Sequence, residues 1–326
     1  MSAEPKGLNM ESRLPRRRVV FAWDMHYACN YRCPYCFITT GQKDVFLENI
    51  YPGLDRLLAA WDRIYSRYGS GIIKFAGGEP FTYPDFMELL GHLGQRHFLD
   101  LSSNMSWDAA EFIRRVPRGA ARIEPSYHPG FYPDLKGFAD KCLALKEAGF
   151  MGSVHMVGYP PLMSMLSEAK ESFTAAGLDC VILPFRGRHQ EKDYPGSYSE
   201  EEKRLLKIAG ETPSQHIAAV NRRYFDQYVE QKGRGPAAGP KLCLHGAVYA
   251  KIQPNLDVLR CCTPIPPERR REFLVGNLLD PEFRLFEAAR PCDLSPCSCW
   301  KAMLEGDEAA WKPLWKFETY AEPVKP

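Results

Sequence analysis

No apolar run in this 326-residue chain is long enough to cross a bilayer as a helix, and the N-terminus lacks the apolar core of a secretion signal. Charge of one sign is also scarce: 42 Lys and Arg against 40 Asp and Glu leave a formal net charge of +2. A balance so close to neutral offers no electrostatic footprint for nucleic acid or an anionic membrane surface. The run Arg16-Arg17-Arg18 reads as a solvated segment ahead of the first strand. Low-complexity tracts are missing, as is any internal repeat beyond strand–helix alternation. Cysteine, by contrast, is plentiful. Eleven of them without an export signal argue for a reducing compartment, expected to be the cytoplasm, and for metal ligation over a disulfide framework.

Short β-rich runs alternate with helical patterns from Val19 onward, which predicts βα units around a parallel sheet. Six strands are expected: Val19–Trp23, Ile72–Phe75, Phe98–Ser102, Arg122–Ser126, Ser153–Val157 and Cys180–Pro184. Between Ile50 and Tyr68, the residues Leu54, Leu57, Leu58, Trp61 and Ile64 make a helical stripe. Further helices are expected over Pro84–Arg96, Trp107–Val116, Asp134–Ala148 (stopped by Gly149) and Leu162–Ala176. Tyr198 to Glu202 opens another with acidic residues at its positive end. A pattern through Ile217, Val220, Tyr224 and Tyr228 follows, and then a Gly/Pro-rich linker from Gly233 to Pro240. Trp311 and Trp315 in the tail read as a docking face.

Chemistry concentrates just after the first strand, where Cys29, Cys33 and Cys36 are spaced C-x3-C-x2-C. Three thiolates on one loop can hold three irons of a [4Fe–4S] cube and leave the fourth open to a small molecule. A zinc site is the alternative, with His26 as its local fourth ligand, although no second C-x2-C lies nearby. About forty residues later Gly77-Gly78-Glu79-Pro80 follows the second strand directly. Glycines there let backbone approach a ligand, and a carboxylate accepts from an ammonium.

The cysteine spacing, with Tyr35 before its last cysteine, and the Gly-Gly-Glu-Pro turn together resemble the radical S-adenosylmethionine (SAM) enzymes. That resemblance implies an α/β fold, a partial (β/α)6 TIM-like barrel, followed by a small C-terminal auxiliary-cluster domain built of a β-hairpin plus a helix. It also implies that the open iron chelates the amino and carboxylate groups of SAM. The reduced cluster then cleaves SAM to a 5'-deoxyadenosyl radical that takes a hydrogen atom from substrate. Gly77, Gly78, Glu79 and Pro80 would hold the methionine amino group, and Tyr35 belongs to the same SAM-binding loop. Ser103, Asn104 and Ser126 fall where the family contacts SAM, and Arg186 after strand six would pair with the SAM carboxylate. Each has a plain structural reading beside this one: Asn104 or Ser106 as a helix cap, Arg186 as a surface ion-pair partner. Tyr127 and His128 follow Ser126 at the barrel mouth, whereas His155 inside strand five reads as a hydrogen-bonded core residue.

Farther on, Cys243, Cys261, Cys262, Cys292, Cys297 and Cys299 resemble the auxiliary-cluster domains called SPASM and twitch. Two β-like runs, Val248–Ile252 and Asp257–Arg260, would form a hairpin that brings Cys243 and Cys261 to one metal. A helix over Pro281–Ala289 would then return Cys292, Cys297 and Cys299. Cys243, Cys261 and Cys297 are the expected ligands, with Cys292 and Cys299 competing for the fourth place of a single auxiliary [4Fe–4S] cluster. A structural zinc knot is the alternative. The SPASM glycine five residues before the second cysteine is Leu256 here, a departure that loosens the hairpin match. Cys142 and Cys180 read as small buried hydrophobes.

The organisation expected is an N-terminal extension (1–18), a catalytic barrel (19–195), a helical connection and linker (196–240) and an auxiliary domain (241–326). A flavodoxin- or ferredoxin-like donor would reduce the cluster. Only about eighteen residues precede strand one, which leaves no room for a separate peptide-recognition domain. The expected reaction is therefore redox modification of a small molecule such as a sugar, aminocyclitol or nucleoside derivative. A peptide-modifying maturase is the alternative, and a non-catalytic Fe–S electron carrier or zinc-binding module is the reading from another class.

Overall fold

A computed structural model describes residues 19–38, 48–206, 241–261 and 265–293. The expected helix through Tyr228, the linker, Cys262, Cys297, Cys299 and the tail tryptophans lie outside the described residues. Among the described residues no helix is long and apolar enough to cross a membrane.

Six parallel strands make the partial barrel: β1 (Val20–Asp24), β2 (Ile72–Ala76), β3 (Phe98–Ser103), β4 (Ala121–Pro125), β5 (Val154–Gly158) and β6 (Cys180–Pro184). Strands β1 to β4 share one sheet, β5 and β6 pair separately, and single bridges at Ile123–Met151 and Ser126–His155 join the two groups. The intervening helices are α1 (Leu54–Tyr68), α2 (Phe86–Leu93), α3 (Ala109–Arg115), α4 (Leu135–Glu147) and α5 (Met163–Ala175); after β6 come a short antiparallel pair, β7 (Gly187–His189) and β8 (Lys192–Tyr194), and then α6 (Glu200–Leu205). These elements follow from period-two alternation. Phe21 and Trp23 of β1 turn outward against Trp61 of α1, with ring centroids 5.3 and 5.6 Å away. Phe75 of β2 meets Phe86 of α2 in the same way. Buried rings of this size each contribute roughly 2–3 kcal/mol by the area they remove from water.

The opposite face of the same strands is charged. Lys74, Asp100 and Arg122 stand side by side in register on β2, β3 and β4. Lys74 Nζ lies 3.0 Å and Arg122 3.1 Å from the Asp100 carboxylate. Arg122 also reaches Glu124, and Glu124 faces His155 of β5. Burial alone would raise the Asp100 pKa, but the two cations take it below the ordinary carboxylate value. His155 is thus a structural member of this ladder.

His97 enters β3 on the helical side, with Nδ1 accepting from Gly71 N–H at 3.1 Å. Burial lowers its pKa to about 4. A histidine held neutral in the fold contributes stability above its unfolded pKa of 6.5, and that contribution is lost as pH falls toward 4. His97→Gln keeps an acceptor but does not titrate. Denaturant unfolding should show it losing about 2 kcal/mol less than the wild type between pH 7 and pH 5. Parallel profiles for the two proteins would refute this.

The C-terminal segment extends the barrel sheet. A hairpin of β10 (Tyr249–Ile252) and β11 (Asp257–Leu259) is flanked by β12 (Leu274–Asn277), and β10 pairs parallel with β1 from Val20 to Trp23. The expected helix over Pro281–Ala289 is not there. Arg63 and Arg67 of α1 donate to the carbonyls of Leu279, Pro281 and Phe283, so this stretch, which turns at Asp280 to Phe283, is held against α1 as an irregular segment. The helix of this segment falls instead at Arg270–Phe273.

Leu256 closes the β10–β11 turn with φ +66°, the left-handed region that glycine prefers. The hairpin forms despite the missing glycine because the leucine side chain is 1% exposed and packed in the main core. Leu256→Gly should relieve about 1 kcal/mol of backbone strain. It should forfeit roughly 2–3 kcal/mol of burial. Net destabilisation of about 1–2 kcal/mol in denaturant unfolding is expected, and a stabilised variant would contradict this balance.

Candidate functional site

The cysteine loop leaves β1 at the mouth of the barrel and is fastened to the Gly-Gly-Glu-Pro turn by backbone. Gly78 N–H donates to His26 O at 2.7 Å and Glu79 N–H to Ala28 O at 3.0 Å. This approach needs glycine. A Cβ on Gly78 would stand 1.8 Å from Ala28 O, and one on Gly77, at φ +118°, would stand 2.3 Å from His26 O. Pro80 is buried and opens a single helical turn to Thr82.

Glu79 is 1% exposed. Its carboxylate accepts from Ser103 Oγ at 2.8 Å, Asn104 N–H at 2.7 Å and Phe81 N–H at 3.2 Å. Burial pushes its pKa up to about 7 against the pull of these three donors. A carboxylate has about four acceptor positions, so one remains for a ligand ammonium, while the bonds from Ser103 and Asn104 fix the β2 and β3 loops to each other and that from Phe81 braces the β2 loop itself. Ser103 Oγ in turn accepts from Met105 N–H and Trp107 Nε1. Asn104 Nδ2 donates to Asn30 Oδ1 at 2.9 Å, and Asn30 Nδ2 donates to Ser106 Oγ. The side chains of Ser103 and Asn104 therefore build the seat of the cysteine loop. Neither Asn104 nor Ser106 caps α3, since Asp108 does so by accepting from Ala110 N–H. Asn30 and Ser106 were not legible as site residues, because their pairing spans 76 positions.

Cys29, Cys33 and Cys36 sit on this seat, and Tyr31 N–H donates to Cys29 Sγ at 3.3 Å. Burial above all, with Cys36 and Cys29 adding to it, pushes the Cys33 thiol up to about 11. Burial and Cys36 also raise Cys29. Cys29 and Cys33, both raised in this way, need a cationic centre beside them to be held as thiolates. Among the described residues no three His, Cys, Asp or Glu side chains close on a single ion. His26 is not available as a zinc ligand: Nδ1 lies 3.0 Å from Tyr51 Oη and Nε2 2.9 Å from Glu79 O. The arrangement thus fits a cluster that takes one thiolate per iron, better than it fits a tetrahedral metal.

Tyr35 is buried beside the loop, stacked on His128 and tilted against Tyr159. His128 Nδ1 lies 3.1 Å from Tyr35 Oη and 3.7 Å from Cys33 Sγ. The sequence placed His128 at the mouth but gave no sign of this contact. Ser126 is half-buried at the end of β4, its N–H donating to Ser103 O. Arg186 is exposed after β6.

A second cysteine group lies in the C-terminal segment. Strands β9 (Lys241–Cys243) and β13 (Arg290–Cys292) pair antiparallel, Cys243 opposite Arg290. Cys261 packs with Phe273, Ile265 and Cys292. Cys261 and Cys292 share one apolar cluster, whereas Cys243 stands at the other end of the β9–β13 ladder from Cys292, which pairs with Lys241. Cys142 is fully buried on α4, and Cys180 Sγ lies 3.9 Å from Lys170 O.

Residues 24–156 match the family model of the radical SAM superfamily. The chain is 25% identical over 298 residues to the mycofactocin maturase MftC of Mycobacterium ulcerans, covering 80% of this chain and 72% of the relative. It is 31% identical over 121 residues to a probable GTP 3',8-cyclase of Methanocella arvoryzae, covering 35% and 38%. The solved structure of native anSMEcpe with bound AdoMet shares the fold at TM-score 0.50 and 14% identity, over 80% of this chain and 78% of that one.

Proposed function

We propose that this chain, which carries a radical SAM domain, is a peptide-modifying radical SAM enzyme with one auxiliary [4Fe–4S] cluster. The observation that carries the catalytic reading is the cysteine loop itself, hydrogen-bonded onto the Gly-Gly-Glu-Pro turn through glycines that no other residue could replace. Cys29, Cys33 and Cys36 would hold the SAM-binding cluster. Cys243, Cys261 and Cys297, with Cys292 or Cys299, would hold the auxiliary one. Together with SAM, the bound cluster supplies reductive cleavage of SAM and abstraction of a hydrogen atom from substrate. A flavodoxin- or ferredoxin-like protein would deliver the electron.

The rest of the chemistry falls to the chain. Glu79 offers its remaining acceptor position to the SAM ammonium while its other contacts keep the loop from shifting. Ser126, at the end of β4, would contact SAM, and Arg186, exposed after β6, would pair with its carboxylate. Tyr31, Tyr35, His128 and Tyr159 wall the mouth with rings and exclude water from the substrate carbon. The charged ladder of Lys74, Asp100, Arg122 and Glu124 lines the inner strand face with polar side chains.

A peptide substrate is favoured over a small molecule because the similarity that spans most of this chain is to a maturase. The similarity to a cyclase of a nucleotide spans 38% of that protein. The full chain, reconstituted anaerobically and reduced, should release 5'-deoxyadenosine from SAM. With peptides carrying perdeuterated residues, mass spectrometry should find deuterium in that product. Transfer from deuterated sugars, aminocyclitols or nucleosides, and from none of the peptides, would replace this reading with the small-molecule one.

A further inference from the structure

Lys141 lies on α4, outside every motif of the site, yet its ammonium is directed at the loop that carries Asn104. Nζ donates to Met105 O and to Trp107 O, both at 3.0 Å, and stands 5.6 Å from the centre of the Tyr132 ring. The loop these carbonyls belong to turns through Met105 at φ +62°, the left-handed region that is unfavourable for a residue with a side chain. Met105 is fully buried, and its N–H donates to Ser103 Oγ at 3.1 Å. The residue before it, Asn104, makes two bonds of the seat: N–H to the Glu79 carboxylate and Nδ2 to Asn30 of the cysteine loop. An unfavourable turn thus stands directly beside the group that orients Glu79, and a side chain 36 positions away clamps it.

We propose that Lys141 is a positioning residue for SAM: by drawing two carbonyls of the β3 loop onto one ammonium it holds Met105 left-handed, and so keeps Asn104 where it fixes Glu79. The proposal rests on the reading that Glu79 and the cysteine loop bind SAM. Carbonyl oxygens are acceptors only, and two that face the same point repel each other unless a donor stands between them. A lysine ammonium, a compact charge with three donors on a flexible stem, suits such a pair. Without it, the turn is free to relax toward the extended or helical backbone that methionine prefers, and Asn104 moves with it. The action of Lys141 runs through Met105 and Asn104, with no contact to SAM required.

The test is equilibrium dialysis of SAM against the anaerobically reconstituted full chain at matched iron content, beside urea unfolding of the same proteins. Lys141→Met keeps the stem and removes the donors. Its Kd for SAM should rise about tenfold. A role in stability alone would lower the urea midpoint and leave the Kd of the folded protein unchanged, and that result overturns the proposal. Met105→Gly in the Lys141→Met background supplies the residue that adopts a positive φ without strain. It should return Kd to within about threefold of the wild type, even as loss of the buried methionine lowers the midpoint below that of Lys141→Met. A double variant that binds SAM as weakly as Lys141→Met overturns the proposal. Should the double variant fail to fold, Lys141→Ala with added ethylammonium chloride takes its place. The added ammonium should tighten SAM binding relative to sodium chloride at equal ionic strength, and no recovery overturns the proposal. A wild-type chain without measurable affinity for SAM would instead remove the reading beneath, and the proposal with it.

Discussion

Cys33→Ala should abolish release of 5'-deoxyadenosine from SAM, with a loss of at least about a thousandfold in rate. Cys33 is the middle ligand of the proposed set and the most buried of the three, so no neighbouring thiol can take its place without unfolding the loop. The remaining Cys29 and Cys36 would bind two irons of a cube that needs three anchors. Iron and sulfide content per chain should fall by the share of one cluster while the C-terminal share persists. Cys142→Ala is the control, since that thiol lies in α4 away from the loop and its loss should leave the iron unchanged. A Cys33→Ala protein that still carries a SAM-perturbed cluster and turns over normally would refute the assignment of this loop.

Glu79→Ala should have the next largest effect, on both fold and ligand. It removes the acceptor of three donors, Ser103 Oγ, Asn104 N–H and Phe81 N–H, in a place with no access for water. Leaving buried donors unsatisfied costs about 1–3 kcal/mol each, so a loss of about 3 kcal/mol or more in unfolding free energy is expected. SAM binding, read by equilibrium dialysis, should weaken by about tenfold to a hundredfold as the seat loosens. Glu79→Gln separates charge from shape. The folded pKa of about 7 stands above the ordinary value of 4.5. The contribution of this group is therefore fully present below 4.5 and is lost as pH rises through 7. The wild type should thus lose about 1 kcal/mol more than Glu79→Gln between pH 6 and pH 8. If the two proteins respond identically to pH, Glu79 is not the group that titrates.

The barrel was legible where its periodicity is local. β6 lies where the sequence put it, from Cys180 to Pro184, and the other five strands differ at their ends by a residue or so. The helical stripe from Leu54 to Ile64 became α1, with Trp61 on the buried face as the spacing demands. The cysteine loop and the glycine turn were readable because their chemistry tolerates few residue types. Three features escaped, each for a long-range reason. The stretch over 281–289 is helix-compatible by composition, but side chains of Arg63 and Arg67 capture its carbonyls from over two hundred positions away. The left-handed Leu256 is stable only because the core it enters is already formed. The bonds from Ser103 and Asn104 to Glu79 depend on β2 and β3 being neighbours, which no local pattern records.

The choice between substrates turned on a different kind of information. Similarity over 80% of the chain to a maturase is what sets the proposed peptide substrate above a small molecule. Nothing in the residues around the barrel mouth could have decided this, since rings and a charge ladder suit either.

The parallel pairing of β10 with β1 has a consequence for expression and assembly. Among the described residues, β1 is an interior strand only because the C-terminal hairpin covers its flank. A chain cut after Pro240 would turn the strand that launches the cysteine loop into a naked edge, with Val20, Phe21 and Trp23 on it. Such a flank recruits other chains, so the shortened protein should go to inclusion bodies before it ever meets iron.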